Sequence, residues 1–331
     1  MRHKTGQVPR ALRLVRSTLL LAACSLEAAF ADDADTAADP GTPPTRMETL
    51  EEVHKNVSQR VEALSLRLDR FFAGERIYQE ATGTYARLGS FVRIGESGDS
   101  TVGADLRVKL DLPNTENRFQ LLIEGEPEDE PVRFEEVRAN PLRIAQDTTY
   151  STAVRRNIMD SETWDISTDA GVKLRSPLDP FVRLRVRRSF LAGDWILRAT
   201  QSLFWFDSDG TGAGTRFEIE RPLTEALFFR STGEAIWYRR KDDFDARQSL
   251  QVFHVLSPRR GLIYEASVIS SDQPQLHTSS YLLNLRYRQL VHRDWLFLEL
   301  TPQVIFERER DFNPHHVLTV TFEITFGQPY L

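Results

Sequence analysis

The chain of 331 residues holds one cysteine, Cys24, so no internal disulfide can form and the fold rests on packing and hydrogen bonding. Past the N-terminus no run of about 18 apolar residues occurs, which excludes a spanning helix. A basic excess is missing too. The net charge of -6 argues against a nucleic-acid surface, and no nucleic-acid partner is expected. With 40% apolar and 27% charged residues the chain is nevertheless no disordered polymer. A chain of this kind can enter a membrane only as a closed barrel, the other structure that satisfies every backbone polar group in hydrocarbon.

The first 31 residues read as an export signal. Arg2, Lys4, Arg10, Arg13 and Arg16 precede a short apolar run from Leu19 to Ala23, and Ala29-Phe30-Ala31 supplies an A-x-A cleavage site. A second route stays open: Leu21-Ala22-Ala23-Cys24 resembles a lipobox, which would make Cys24 the site of lipidation. Residues 32–46 are small, acidic and proline-rich, a linker with nothing to bury. Over 47–75 the period becomes helical, with Leu50, Val53, Val57, Val61, Leu64, Leu68 and Phe71 at steps of three and four. This amphipathic helix, expected in the periplasm, could self-associate as a short coiled coil, dock on the end of a barrel, or enter its lumen.

From Tyr85 the period drops to two. TVGADLRVKLDL, WDISTDAGVKLR, FVRLRVRR, YLLNLRYR and VLTVTFEITF all alternate apolar with polar residues. Segments of about ten residues with this alternation, separated by turns, mark a membrane β-barrel. Strands are expected near 85–96, 101–112, 118–125, 148–157, 163–175, 181–190, 195–206, 215–221, 227–238, 246–256, 262–270, 280–290, 295–306 and 317–326. This is an antiparallel barrel of about 14 strands, or 12 if weak strands such as 148–157 drop out, over residues 85–327. Tight connections at 113–117, 158–161, 191–194, 222–225, 257–261 and 291–294 belong on the periplasmic side, with longer ones such as 126–147, 207–214, 239–245, 271–279 and 307–316 opposite.

Alternation alone does not say which face meets water. Arg183, Arg185 and Arg187 would each cost about 2 to 4 kcal/mol facing lipid near the midplane. In a membrane they must face the lumen, and Val182, Leu184 and Val186 the lipid. Trp164, Trp195, Trp205, Trp237 and Trp295 all fall near strand ends, as interface aromatics do. The closing run Phe322-Glu323-Ile324-Thr325-Phe326 resembles the C-terminal signal of Gram-negative outer-membrane proteins, although five residues follow Phe326. That resemblance implies engagement of the barrel-assembly machinery through this strand. The runs SPLDPFVRLRVRRSF, TQSLFWFDSDG and HRDWLFLELTPQV, with the closing strand, resemble a family of uncharacterised outer-membrane barrels of Gram-negative bacteria. The likeness implies fold, outer-membrane location and lipid as a partner, and no activity.

Chemistry-bearing constellations are sparse. His254, in phase with Leu250 and Val252, falls on the lipid face near Ser257, a poor setting for a hydrolase. Asp207-Ser208-Asp209-Gly210 is too short for a calcium loop, and His315-His316 point apart in an extended segment. No enzyme, cofactor or metal is expected. The lumen is the candidate site. By phase it takes Arg107, Lys109, Lys173, Arg175, Arg183, Arg185, Arg187, Arg198, Arg286 and Arg288, together with Glu218, Glu234, Glu265 and Glu299. If these charges segregate into opposed walls, they line a pore for small polar solutes. If they interlock, the barrel is closed and structural. The pore is the preferred expectation, because fourteen strands leave room that side chains need not fill.

Overall fold

The computed structural model describes residues 68, 71–72, 84–96, 98–112, 119–125, 150–161, 163–240, 243–272 and 275–327. The export signal, the linker and all but three residues of the 47–75 segment lie outside this set.

Fourteen strands close into one antiparallel barrel in which each pairs with its sequence neighbours and β1 pairs with β14. They are β1 Tyr85–Gly95, β2 Ser100–Asp111, β3 Phe119–Gly125, β4 Tyr150–Asp160, β5 Trp164–Leu174, β6 Asp179–Ala192 and β7 Trp195–Phe206. The second half comprises β8 Gly210–Pro222, β9 Leu227–Tyr238, β10 Asp243–Ser257, β11 Arg260–Ser271, β12 His277–His292, β13 Leu296–Glu307 and β14 Pro314–Gly327. The twelve-strand alternative is excluded. The strand at 148–157 forms as β4, in register with both β3 and β5.

The strands follow from alternation and from turn chemistry. On β6 the arginines 183, 185 and 187 are buried while Val182 is 51% exposed, so one face of the ribbon is polar and turned inward. Tight hairpins hold the register. Between β6 and β7 the loop is the pair Gly193-Asp194, with Ala192 opposite Trp195; Gly193 adopts φ +61°, which suits the first central position of a two-residue hairpin.

One expectation about the connections changes. Several links read as long are short, because the strands run further: β8 begins at Gly210 rather than 215, and β14 at Pro314 rather than 317. Gly210-Thr211-Gly212-Ala213-Gly214 lacks the large alternating side chains by which strands are recognised, yet it pairs with Phe206 through Ser202 on β7. Among the described strands, β3 and β4 are the pair farthest apart in sequence, Gly125 to Tyr150.

The barrel is inverted relative to a soluble one. Val102, Leu203, Leu283, Phe322 and Phe326 are among the large apolar side chains on its outer surface, while arginine, lysine, aspartate and glutamate are buried inside. An outer surface of this kind suits hydrocarbon, and strands of 11 to 16 residues, all but β3 at Phe119–Gly125, are long enough to cross it. Tryptophans mark both rims. Trp164, Trp195 and Trp295 lie at the tight-turn end, Trp205 and Trp237 at the other, as interface belts require. Arg188 lies over Trp164 at 4.7 Å and Arg221 over Trp195 at 5.2 Å.

Leu203 tests the facing directly. It sits on the outer face of β7 between Leu184 and Ala213. Leu203→Arg is expected to lower unfolding stability in lipid vesicles, measured by urea titration, by about 2 to 4 kcal/mol. A change within about 0.5 kcal/mol, as at an ordinary wet surface, would reverse the assignment.

Candidate functional site

The inner wall is built from residues that hairpin register brings abreast. Arg155 on β4, Asp169 on β5 and Arg183 on β6 stand directly opposite one another. Arg155 donates from Nε to Asp169 Oδ1 at 2.8 Å, and Arg183 from Nη2 to Oδ2 at 2.7 Å. Both arginines give the carboxylate a second hydrogen bond, at 3.1 Å each. All three side chains are at most 2% exposed.

The same design recurs around the wall. Glu220 on β8 lies between Arg198 of β7 at 3.2 Å and Arg230 of β9 at 2.7 Å. Across the closure, Arg288 on β12 binds both Glu299 of β13, at 3.2 Å, and Glu323 of β14, while Arg87 of β1 reaches Glu323 at 3.8 Å. Arg187 pairs with Asp165 at 3.0 Å, Arg247 with Glu265 at 2.5 Å, Arg286 with Glu299 at 3.4 Å, and Arg216 with Glu234. Bonds of this charge-assisted type are the strong ones, and here they add side-chain ties to strands already held in register by the hairpins.

Of the residues singled out in the sequence, Arg107, Lys109, Lys173, Arg183, Arg185, Arg187, Arg198 and Arg288 are buried on the inner face, as are Glu218 and Glu265. Arg286, Glu234 and Glu299 are inward and less deeply covered. Arg175 falls just past the end of β5, at the rim, where it pairs with Asp179. Asp179 also accepts hydrogen bonds from the Ser208 amide at 3.0 Å and hydroxyl at 2.9 Å. Cys24 lies outside the described residues.

Sequence reasoning missed the inward aromatics. Phe181, Phe204, Phe206, Ile236 and Tyr238 form a buried layer toward the end of the barrel away from the tight turns. Phe228, Phe253 and Ile263 form a second near the tight-turn end, where Phe297 is also buried. The signal was available: in Phe204-Trp205-Phe206 both faces are aromatic, so alternation fails where the inner wall turns apolar. Cationic side chains join the layers, with Arg288 over Phe297 at 4.2 Å, Arg230 over Phe253 at 4.9 Å and Lys173 over Phe206 at 4.2 Å.

Charge is unevenly distributed around the wall. Among the described residues, the buried charged side chains of β4 to β7 are six cations, Arg155, Lys173, Arg183, Arg185, Arg187 and Arg198, against Asp169 and Asp179. Those of β8 to β14 are Arg230 and Arg288 against six carboxylates, Glu218, Glu220, Asp245, Glu265, Glu307 and Glu323. The inward, partly exposed groups of β8 to β14, Arg216, Arg247 and Arg286 with Glu234 and Glu299, reduce the second imbalance without reversing it.

The remaining histidines and the outer groove are placed apart from this wall cluster. His254 lies on the outer face, stacked on Tyr264 at 6.4 Å. His315 is inward near Arg310 and Glu96, at 3.2 and 3.6 Å, and no group of three or more metal-ligating side chains occurs among the described residues. A groove of about 880 Å³ on the outer wall, lined by residues such as Leu250, Tyr264, Leu283, Pro302 and Leu318, is almost wholly apolar.

No protein-family sequence pattern matches the chain, and no sequence relative was found among curated proteins. Several similar solved structures are outer-membrane proteins. They include the outer-membrane channel DcaP of Acinetobacter baumannii, at 8% identity over 73% of this chain and 96% of that one, TM-score 0.42. OprB of Pseudomonas putida is similar at 10% identity over 78% and 97%, TM-score 0.47. OmpT of Vibrio cholerae is similar at 10% over 73% and 96%, TM-score 0.37.

Removing one shared carboxylate should be costly. Asp169→Asn leaves Arg155 and Arg183 buried without their counter-charge, and a loss of about 3 to 5 kcal/mol in unfolding stability is expected. Asp194→Asn, at an exposed pair with Arg221 3.9 Å away, should change it by less than about 1 kcal/mol. Equal effects from the two would mean that the interior is wet enough to screen the cluster.

Proposed function

We propose that the protein is an outer-membrane channel for small polar solutes, with the charged inner wall as its selective surface. The observation that carries this reading is the asymmetry of that wall: six buried cations against two carboxylates on β4 to β7, and two against six on β8 to β14. Opposed walls of opposite sign set a field across the lumen, which orients dipolar solutes and admits ions according to sign. A barrel that needed charges only for structure would have no use for such segregation, since local pairs suffice. Outer-membrane placement is supported by the inverted faces, the tryptophan rims and the aromatic-terminated β14, which would present Phe326 to the assembly machinery.

A second reading has its own observation. Arg155, Arg288, Asp169 and Glu220 are no more than 1% exposed, and ion pairs link β4 with β5, β7 with β8, and β12 with β14 along the inner wall. On this reading the barrel is a closed structural or anchoring element of the outer membrane.

Planar-bilayer recording separates them. Conductance with a selectivity that moves toward cations in Arg185→Glu is the expected result, read as a shift in reversal potential under a salt gradient. An open channel whose selectivity does not move with this substitution would contradict the proposed role of the wall, and a protein that never conducts would favour the closed barrel.

A further inference from the structure

Three residues of the N-terminal segment are seated inside the barrel mouth. Leu68, Phe71 and Phe72 have helical backbone, and their spacing of three and four puts them on one face. Leu68 and Phe72 are 4% and 2% exposed. They pack in one cluster with Phe228 of β9, Phe253 of β10 and Ile263 of β11. The Phe72 ring meets Phe253 edge-on with centroids 5.5 Å apart, Phe71 meets Phe297 of β13 at 6.0 Å, and the two phenylalanines meet each other at 5.0 Å.

The wall residues under them are inward by register. Phe228 stands opposite Phe253, and Phe253 opposite Ile263, in phase with the inward Arg230, Gln251 and Glu265. All lie next to the tight turns, at the end where β1 begins and β14 ends.

The seat is shaped for this occupant. Gly261 faces the same mouth, opposite Arg288. A Cβ there would lie 2.4 Å from Phe72 Cζ and 3.1 Å from Phe71 Cε1, so any side chain at 261 would compete with the phenylalanines for the space. Behind the ring stand Arg230 and Arg288, stacked on Phe253 and Phe297 and bound to the carboxylates of the charged wall. An apolar layer at the end of a charged lumen has no partner in water; Leu68, Phe71 and Phe72 provide one.

We propose that Leu68, Phe71 and Phe72 form an intramolecular stopper: they close the tight-turn mouth of the channel by docking on the ring of Phe228, Phe253, Ile263 and Phe297, and their release opens it. The proposal rests on the channel reading, which it deepens by naming the closure.

The test uses the full mature chain in planar bilayers, with two variants that unseat the stopper from opposite sides. Phe71→Ala with Phe72→Ala removes the docking rings, and Gly261→Leu fills their seat. Both are expected to raise the open probability or the mean conductance several-fold over the parent. Seating is read separately by a short thiol crosslinker across Phe72→Cys and Phe253→Cys in outer membranes, where a crosslinked band is expected. A parent that conducts, with neither variant changing it, would overturn the stopper and leave the channel standing. Absence of the crosslink would overturn the seating. If neither parent nor variants conduct while the crosslink forms, the channel reading fails and the segment is a fixed structural cap.

Discussion

Closure of the hydrogen-bond ladder between β1 and β14 is the constraint on which everything else depends. Hydrocarbon offers no partner for an amide or a carbonyl, so a strand with an open edge cannot stay there. All of β1 meets the last strand, from Tyr85 opposite Gly327 to Gly95 opposite Val317. Once the ladder is closed, each strand has one face toward lipid and one toward the lumen, and the side-chain period of two fixes the sorting. Residues that would make the core of a soluble sheet go outside. Charged residues go inside, where there is little water around most of them.

That second consequence shapes the wall. A buried charge is costly unless it is paired and hydrogen-bonded, so inward arginines require carboxylates within reach on adjacent strands. Asp169 serves two arginines, Glu220 two, and Arg288 two carboxylates. Sharing links charges from one strand to the next, while the surplus of cations on β4 to β7 and of carboxylates on β8 to β14 survives around the circumference. Local pairing and global asymmetry therefore coexist. The two aromatic layers bound this charged zone toward either end, and at the tight-turn end the layer is completed by Phe71 and Phe72.

The strand count and the inward placement of the FVRLRVRR arginines were legible in the sequence because a one-residue slip would turn the whole arginine face to the lipid. Strand ends were less legible. The glycine-rich start of β8 pairs through its backbone and carries little side-chain signal. The partners inside the wall were not legible at all, since Arg155, Asp169 and Arg183 meet only through the registers of two successive hairpins, and register is a property of pairs of strands. The inward phenylalanines escaped because reading alternation equates apolar with outward, a rule that fails where the lumen itself is apolar. The amphipathic spacing of Leu64, Leu68 and Phe71 announced a face needing a partner without saying which; for Leu68, Phe71 and Phe72 that partner is the barrel mouth.

The central claim is a closed barrel with lipid outside and charge inside, and the mobility of the protein on a detergent gel tests it most directly. Protein from isolated outer membranes, loaded without boiling, should run ahead of the boiled sample, because a closed barrel resists detergent unfolding and stays compact. A protein recovered in the soluble periplasmic fraction, with the same mobility boiled and unboiled, would contradict the account and return the arginines to a water-facing surface.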